Sequence, residues 1–290
     1  MGTGPASGYV LYGEHLLDRM NQRLYTGASG FMVEQSISAQ SGSCEMILAP
    51  DPEAALNNPI HGNAWFGTDG AFRMEVQTGS SRNIYVTQDK EALTIIDGAI
   101  RGTRENPLLH YKTPLLCQDH SQLSNRLTDM GINTTISSLG RTSDNQVAYV
   151  IGARFPDASV SQLWVDKTTF LPIRLLLISS QNMGSAAPAA NTKLQNPVES
   201  IDIHYENWAR QNGIRYPMRI VIFENSRLVR VICAAGVERK DSFPDNFFDI
   251  RTLKTRYPVA EALEGTEATA LPGDTDDVHQ TIEDFKKLYQ

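Results

Sequence analysis

The side chains that most often perform catalysis or bind metals are scattered through this sequence of 290 residues. The six histidines form neither an H-E-x-x-H nor an H-x-E pattern, the spacings that place zinc ligands on one face of an element. They are His15, His61, His110, His120, His204 and His279. The sequence therefore predicts no metal site and no resident cofactor.

The sequence also lacks the short motifs that position a nucleophile or a phosphate group. It contains no G-x-S-x-G turn, no Walker loop and no G-x-G-x-x-G turn. Cys44, Cys117 and Cys233 lie far apart and form no C-x-x-C pair. A cysteine–histidine pair assembled only by folding stays open, because such partners need not be neighbours in sequence. We expect no catalytic residues and no enzymatic activity.

The charge balance argues against nucleic acid as a partner. The chain has 33 acidic and 26 basic side chains, a formal net charge of −7. Affinity for nucleic acid comes largely from Lys and Arg neutralising phosphates, and the sequence has neither an excess of them nor a long basic run. The hydrophobic content of 41% is typical of a folded protein. No apolar run approaches the roughly 18 residues of a membrane-spanning helix.

Three segments have the 3.6-residue period of an amphipathic helix. The first runs roughly from residue 13 to residue 25. The second begins with Thr113 as a cap and Pro114 at the first helical position, and it stops at Gly131. The third covers residues 276–289. Each has one apolar stripe, so each needs an apolar surface to pack on.

Most of the remaining chain alternates apolar and polar residues, the period of a strand with one buried face. The clearest pair runs from Ser200 to Trp208 and from Met218 to Ile222, with Asn212-Gly213 as the turn. About ten such runs are separated by short polar turns. Residues 181–197 predict a mobile loop or a hairpin tip, because they are rich in Ala, Asn, Ser and Pro. Without a strand–helix–strand alternation, the sequence predicts an α+β fold on an antiparallel sheet.

Several short motifs occur in a fixed order after the first helix. They are Phe31-x-Val33-x-Gln35, a strand pair from Trp65 to Val76, the run from Leu163 to Pro172, Asn212-Gly213-Ile214-x-x-Pro217, and Phe247-Phe248-Asp249. In order and spacing they resemble the LolA-like outer-membrane lipoprotein-sorting proteins, the lipoprotein carrier superfamily. The resemblance covers roughly residues 13–250, which we expect to form a LolA-like domain. The residue pattern predicts a flexible segment at residues 1–12 before it and a C-terminal extension with a terminal helix at residues 251–290 after it.

The family resemblance implies both a shape and a task. The shape is a curved antiparallel half-barrel of about ten strands, covered by helices that enclose an apolar cavity. The task is non-enzymatic: a periplasmic carrier binds the acyl chains of lipids or lipoproteins and passes them towards the outer membrane. An inner-membrane transporter and an outer-membrane receptor are the implied partners. A signal peptide is absent from this sequence, and we expect it to have been removed.

The cavity that the resemblance implies needs an apolar lining on the strands and on the covering helices. Ordinary core packing of the same side chains is an equal alternative. The candidate lining residues are Leu16, Met20, Phe72, Met74, Val76, Ile84, Val86, Leu123, Leu127, Trp164, Leu175, Leu177, Ile201, Ile203, Tyr205, Ile220 and Ile222.

One position departs from the family pattern. The bacterial carrier has an arginine in the turn after its early Trp-containing strand, where it helps to close the lid, and this sequence has Gly67-Thr68-Asp69-Gly70 there. Arg73 follows in the next strand, so the role is not carried over to it. A second function therefore stays open. It is an envelope sensor or scaffold of the same fold that binds a protein partner, as regulators of envelope-stress anti-sigma factors do.

Overall fold

The computed structural model describes most of the chain. The described residues are 11–24, 30–39, 59–67, 70–116, 119–179 and 199–260. The chain divides into two compact units, residues 1–258 and residues 259–290, and every element below belongs to the first. The predicted loop at 181–197 and the predicted helix at 276–289 lie outside the described residues. The predicted domain division at residue 250 stays a prediction.

Within the described ranges, thirteen strands form one open antiparallel sheet. This confirms the predicted α+β half-barrel and corrects the expected number of about ten strands. The strands are β1 (Gly30–Ala39), β2 (Ile60–Gly67), β3 (Phe72–Thr78), β4 (Ser81–Gln88), β5 (Glu91–Ile96), β6 (Ala99–Gly102), β7 (Ser137–Arg141), β8 (Val147–Ile151), β9 (Gln162–Asp166), β10 (Pro172–Ser179), β11 (Glu199–Gln211), β12 (Ile214–Glu224) and β13 (Arg227–Lys240).

Neighbours in sequence are also neighbours in the sheet, with one exception. Strands β1 to β6 form one arm and β7 to β13 form the other, and the arms join where β1 pairs with β13. The predicted turn between β11 and β12 is confirmed, with positive φ angles of 50° at Asn212 and 84° at Gly213. Register shifts in four strand pairs mark bulges, which bend and twist a sheet.

The helices precede the sheet, connect its two edge strands, and follow it. They are α1 (Gly13–Leu24), a 3-10 helix (Pro107–Lys112), α2 (Thr113–Leu116), α3 (His120–Asp129) and α4 (Ile250–Arg256). The 3-10 helix, α2 and α3 form the segment from β6 to β7, called below the connecting segment. No helix in the described part of the chain has both the length and the apolar character needed to cross a membrane.

The first predicted helix is confirmed as α1, but the second is wrong as a single helix. Asp119 has the extended backbone angles φ −110° and ψ 131°, and its carboxylate accepts a hydrogen bond from the backbone N–H of Ser121. This is the geometry of a helix N-cap, so a new helix, α3, starts at His120. Met130, one residue before the predicted stop at Gly131, is the C-cap of α3.

One face of the sheet, called here the inner face, forms the main core with the helices that precede β1 and connect β6 to β7. Leu16, Leu17 and Met20 of α1 are fully buried in it, as are Leu123 and Leu127 of α3. Burying each such side chain stabilises the fold by about 1.5–3 kcal/mol. The apolar stripes of α1 and α3 thus pack in the main core, as their amphipathic spacing predicts.

The opposite face, called the outer face, has two smaller clusters of buried residues. One lies under α4, where Ile250 and Leu253 pack on side chains of β4 and β5. Arg73 holds the chain just before this helix: its Nη1 donates to the carbonyl of Phe247 at 2.8 Å, and its Nη2 lies 2.6 Å from a carboxylate oxygen of Glu75. The other cluster surrounds Trp164. Both faces of the sheet are therefore partly covered.

Candidate functional site

A cavity of about 1370 Å³ lies beside the main core. Its walls come from β5, β6, the connecting segment, and the adjoining ends of β10, β11 and β12. The cavity therefore joins an edge strand of one arm of the sheet to the interior of the other arm. Pockets for drug-sized ligands usually measure about 300–1,000 Å³, so this cavity can hold a larger molecule.

Apolar side chains from distant parts of the sequence form much of the cavity wall. Ile96 comes from β5 and Leu108 from the 3-10 helix, while Leu177 and Ile201 come from the opposite arm. Leu177 and Ile201 pair directly across β10 and β11, so their side chains project from the same face of the sheet. Together these residues offer an apolar surface to a ligand.

Charged side chains also line the cavity, and several of them are paired. Lys90 and Asp129 form an ion pair of 2.9 Å. Lys112, which is buried beneath the wall, donates from Nζ to the carboxylate of Glu105. Its ammonium group also lies 5.4 Å from the centre of the Phe72 ring. These pairs compensate two of the four acidic residues that line the cavity.

His110 adds a titratable group to the cavity wall. Burial disfavours the charged imidazolium and lowers the pKa of His110 to about 4. Its Nδ1 atom lies 3.9 Å from a carboxylate oxygen of Glu105, too far for a hydrogen bond. At neutral pH this side chain is therefore uncharged, and the wall near the 3-10 helix carries no histidine charge.

An arginine of α3 connects the connecting segment to the turn before β3. The Nη2 atom of Arg126 donates to the carbonyl of Gly70 at 3.0 Å. Gly70 has a φ of +76°, and a Cβ at this position would lie 2.5 Å from that same Nη2 atom. Only glycine therefore accommodates both the backbone conformation and the close approach of the guanidinium. This contact is made at the turn where the sequence lacks the family's arginine.

The structure brings most of the predicted lining residues together, but chiefly in the packed main core. Leu177 and Ile201 are half-buried and line the cavity. Ile84 and Val86 lie in the outer-face cluster under α4, and Trp164 lies in the other outer-face cluster. The predicted residues buried in the main core are Leu16, Met20, Phe72, Met74, Val76, Leu123, Leu127, Leu175, Ile203, Tyr205, Ile220 and Ile222. Ligand contact by any of them stays a prediction.

The polar part of the cavity wall was not predicted from the sequence. Arg101 and Arg104 lie at the end of β6 and in the turn after it, and Gln122 and Asn125 lie on α3. None of these residues belongs to a motif, and their nearness depends on how the connecting segment folds. Across the described ranges, no three His, Cys, Asp or Glu side chains come close enough to hold a metal ion.

Solved structures with a similar fold are known. A LolA superfamily protein from Nitrosomonas europaea has a TM-score of 0.50 at 11% identity, over 84% of this chain and 100% of that chain. A DUF1329 family protein from Desulfovibrio piger has a TM-score of 0.50 at 13% identity, over 83% of this chain and 98% of that chain. The fold is LolA-like.

This similarity confirms the LolA-like fold that the sequence motifs predict. An outer membrane lipoprotein-sorting protein domain from Vibrio parahaemolyticus is also similar, with a TM-score of 0.48 at 8% identity, over 83% of this chain and 97% of that chain. No family model and no curated protein matches the sequence. Identities this low establish the LolA-like fold alone.

Proposed function

We propose that this protein is a non-enzymatic periplasmic carrier that holds the acyl chains of a lipid or lipoprotein for transfer towards the outer membrane. The observation that supports the proposal most strongly is the cavity of about 1370 Å³ with apolar side chains from both arms of the sheet. An inner-membrane donor and an outer-membrane acceptor are the proposed partners. A half-barrel with such a cavity needs no reactive group to perform this task.

The energetics of acyl chains explain why the volume matters. Each methylene that an acyl chain buries away from water contributes about 0.8 kcal/mol to binding. A single myristoyl chain nevertheless binds a membrane with an association constant of only about 10⁴ M⁻¹. A carrier that competes with a membrane must therefore enclose a chain almost completely or hold more than one chain. The cavity is half open, but its volume exceeds that of an ordinary drug-sized pocket, which fits the second of these two routes.

The packing of the main core limits where the ligand can lie. The predicted lining residues of α1 and α3 have no exposed surface, and neither do Ile203 and Ile220 beneath them. Native cores are packed to the density of organic crystals, so an acyl chain cannot enter there without moving these side chains. We therefore place the acyl chains in the cavity, and we assign the main core to stability.

A pair of substitutions in the cavity wall tests the carrier proposal. Leu177→Gln with Ile201→Gln places two amides where the acyl chain would lie, and unpaired polar groups are costly in an apolar contact. We expect the bound lipid to fall at least tenfold. The measurement is native mass spectrometry of protein made in a bacterial periplasm, purified without detergent and incubated with phosphatidylglycerol vesicles.

The matched control is Ile173→Gln with Leu176→Gln. These residues are half-buried on β10, and Leu176 projects from the face opposite to Leu177, so the same chemical change is made away from the cavity. The control should keep its bound lipid. A wild-type protein that stays bare after incubation would contradict the carrier proposal and favour the alternative in which the fold binds a protein partner.

A further inference from the structure

Two exposed arginines line the cavity three residues apart. Arg101 lies in β6 and Arg104 in the turn that leads to the 3-10 helix. Within the part of the chain that the structure describes, neither guanidinium forms a hydrogen bond or an ion pair. Most other cations on the cavity wall already have a partner, since Lys90 pairs with Asp129 and Arg126 donates to a carbonyl.

The acidic residues of the cavity do not neutralise these two arginines. Asp129 is paired with Lys90, and Glu105 accepts from Lys112. Asp89 lies in the turn between β4 and β5, and Glu224 lies at the end of β12. Neither is within ion-pair distance of Arg101 or Arg104. The end of β6 and the turn after it thus add two positive charges to the cavity wall that none of its four acidic residues pairs with.

Apolar wall residues lie next to this positive site. Ile96 of β5 pairs with Ala99 at the start of β6, and Leu108 follows Arg104 by four residues. A molecule whose head binds the arginines can therefore place its apolar part against the same wall. Guanidinium groups bind phosphate and carboxylate oxygens through paired, charge-assisted hydrogen bonds.

We infer that the cavity binds an amphiphile with an anionic head, and that Arg101 and Arg104 hold that head while the acyl chains lie along the apolar wall. This inference deepens the carrier proposal and rests on it. The head chemistry is an anionic phosphate or carboxylate. A lipid head and free inorganic phosphate both present such oxygens, and the acyl chains distinguish them.

The test compares lipids that share their acyl chains and differ in their heads. Wild-type protein is incubated separately with vesicles of dioleoyl phosphatidylglycerol, which is anionic, and of dioleoyl phosphatidylcholine, which is zwitterionic. Bound lipid is counted by native mass spectrometry after the vesicles are removed. Both heads contain a phosphodiester, but the quaternary ammonium of choline cancels its charge and is repelled by the two arginines. Because hydrogen bonds to charged groups are among the stronger ones in proteins, we expect about tenfold more phosphatidylglycerol than phosphatidylcholine.

The variant Arg101→Gln with Arg104→Gln should lose this preference. It should bind each lipid only as much as the wild type binds phosphatidylcholine. The matched control is Arg19→Gln with Arg154→Gln, which removes two exposed arginines that do not line the cavity. The control should keep the tenfold preference. Inorganic phosphate at 100-fold excess should not displace phosphatidylglycerol, since phosphate has no acyl chain to contribute.

Each remaining outcome contradicts either the inference about the lipid head or the carrier proposal itself. Equal uptake of the two lipids by the wild type overturns the anionic-head inference. A preference that survives in the Arg101→Gln and Arg104→Gln variant overturns the assignment of the head to these two arginines. Both outcomes leave the carrier proposal standing. Displacement of the bound lipid by inorganic phosphate would show a phosphate site instead of an amphiphile site. A wild type that takes up neither lipid overturns the carrier proposal together with this inference.

Discussion

His110 links the cavity wall to the pH dependence of stability. Its folded pKa of about 4 lies below the value of 6.5 expected in the unfolded chain, because burial penalises the imidazolium. Between these two pH values the unfolded chain binds a proton that the folded protein does not. Lowering the pH through this window therefore stabilises the unfolded state.

We expect the free energy of unfolding to fall by about 3 kcal/mol more in the wild type than in His110→Gln between pH 7 and pH 4. Glutamine has no proton to gain in this range, so the variant lacks the contribution of the imidazole. Urea unfolding at both pH values measures the difference. Parallel losses in the two proteins would show that the pKa of His110 is the same in the folded and unfolded states.

At the residue level, the sequence predicts burial better than it predicts the face on which a residue is buried. Ile84 and Val86 flank the buried Tyr85 in β4, and residues 83 to 87 are all buried. A strand that is buried on both faces no longer alternates between apolar and polar residues. Its sequence therefore does not show whether Tyr85 or its two neighbours face the inner side of the sheet. Trp164 likewise lies on the outer face, between Leu163 and Val165, whose side chains are buried on the inner face.

At the level of elements, the break between α2 and α3 gives the connecting segment its shape. The N-cap at Asp119 satisfies a backbone N–H that the interrupted helix leaves without an intrahelical partner. The break lets the buried stripe of α3 pack on α1 while the 3-10 helix packs elsewhere in the main core. The cavity wall takes residues from both sides of the break.

Substitution of the N-cap tests this account of the connecting segment. Asp119→Ala should lower the free energy of unfolding by about 1 kcal/mol, because the N–H of Ser121 loses its acceptor. Asp119→Asn keeps an acceptor oxygen and should stay within a few tenths of a kcal/mol of the wild type. Urea unfolding of the three proteins is the measurement, and equal losses in both variants would refute the capping role.

The elements that the sequence missed are short or lack a clear period. β6 has four residues and β7 has five, and the latter reads Ser-Ser-Leu-Gly-Arg with one large apolar side chain. The 3-10 helix begins at a proline and follows an Asn106 cap, signals that also fit a turn. These elements depend on tertiary contacts, whereas α1 and the long strand pair are specified by local pattern.

At the level of the whole first unit, α4 joins the last part of that unit to the outer face of the first arm. Ile250 and Leu253 bury the apolar side chains of β4 and β5, and the N–H of Ile100 in β6 donates to the carbonyl of Pro258 at 2.8 Å. The backbone of the edge strand β6 is thereby partly covered, which limits pairing with other chains. The segment from the end of β13 to Pro258 is therefore part of the fold of the first unit.

Two truncations test that statement. A chain ending at Pro258 should fold with α4 in place, because its contacts lie within residues 1–258. A chain ending at residue 249 should be less stable than that chain by about 3–6 kcal/mol, the upper estimate for burying two large aliphatic side chains. Urea unfolding compares the two proteins. Equal midpoints would mean that α4 contributes nothing to the first unit.

The pairing of β1 with β13 has a consequence for how the chain reaches its native state. Gly30 pairs with Lys240, so the seam between the two arms closes only after nearly the whole first unit is available. Each arm consists of strands adjacent in sequence and can form locally, whereas closing the seam is a long-range event of the kind that slows folding. Until then β1 and β13 are unprotected edges. The interval before closure is the one in which this chain is most prone to pair with a second copy of itself.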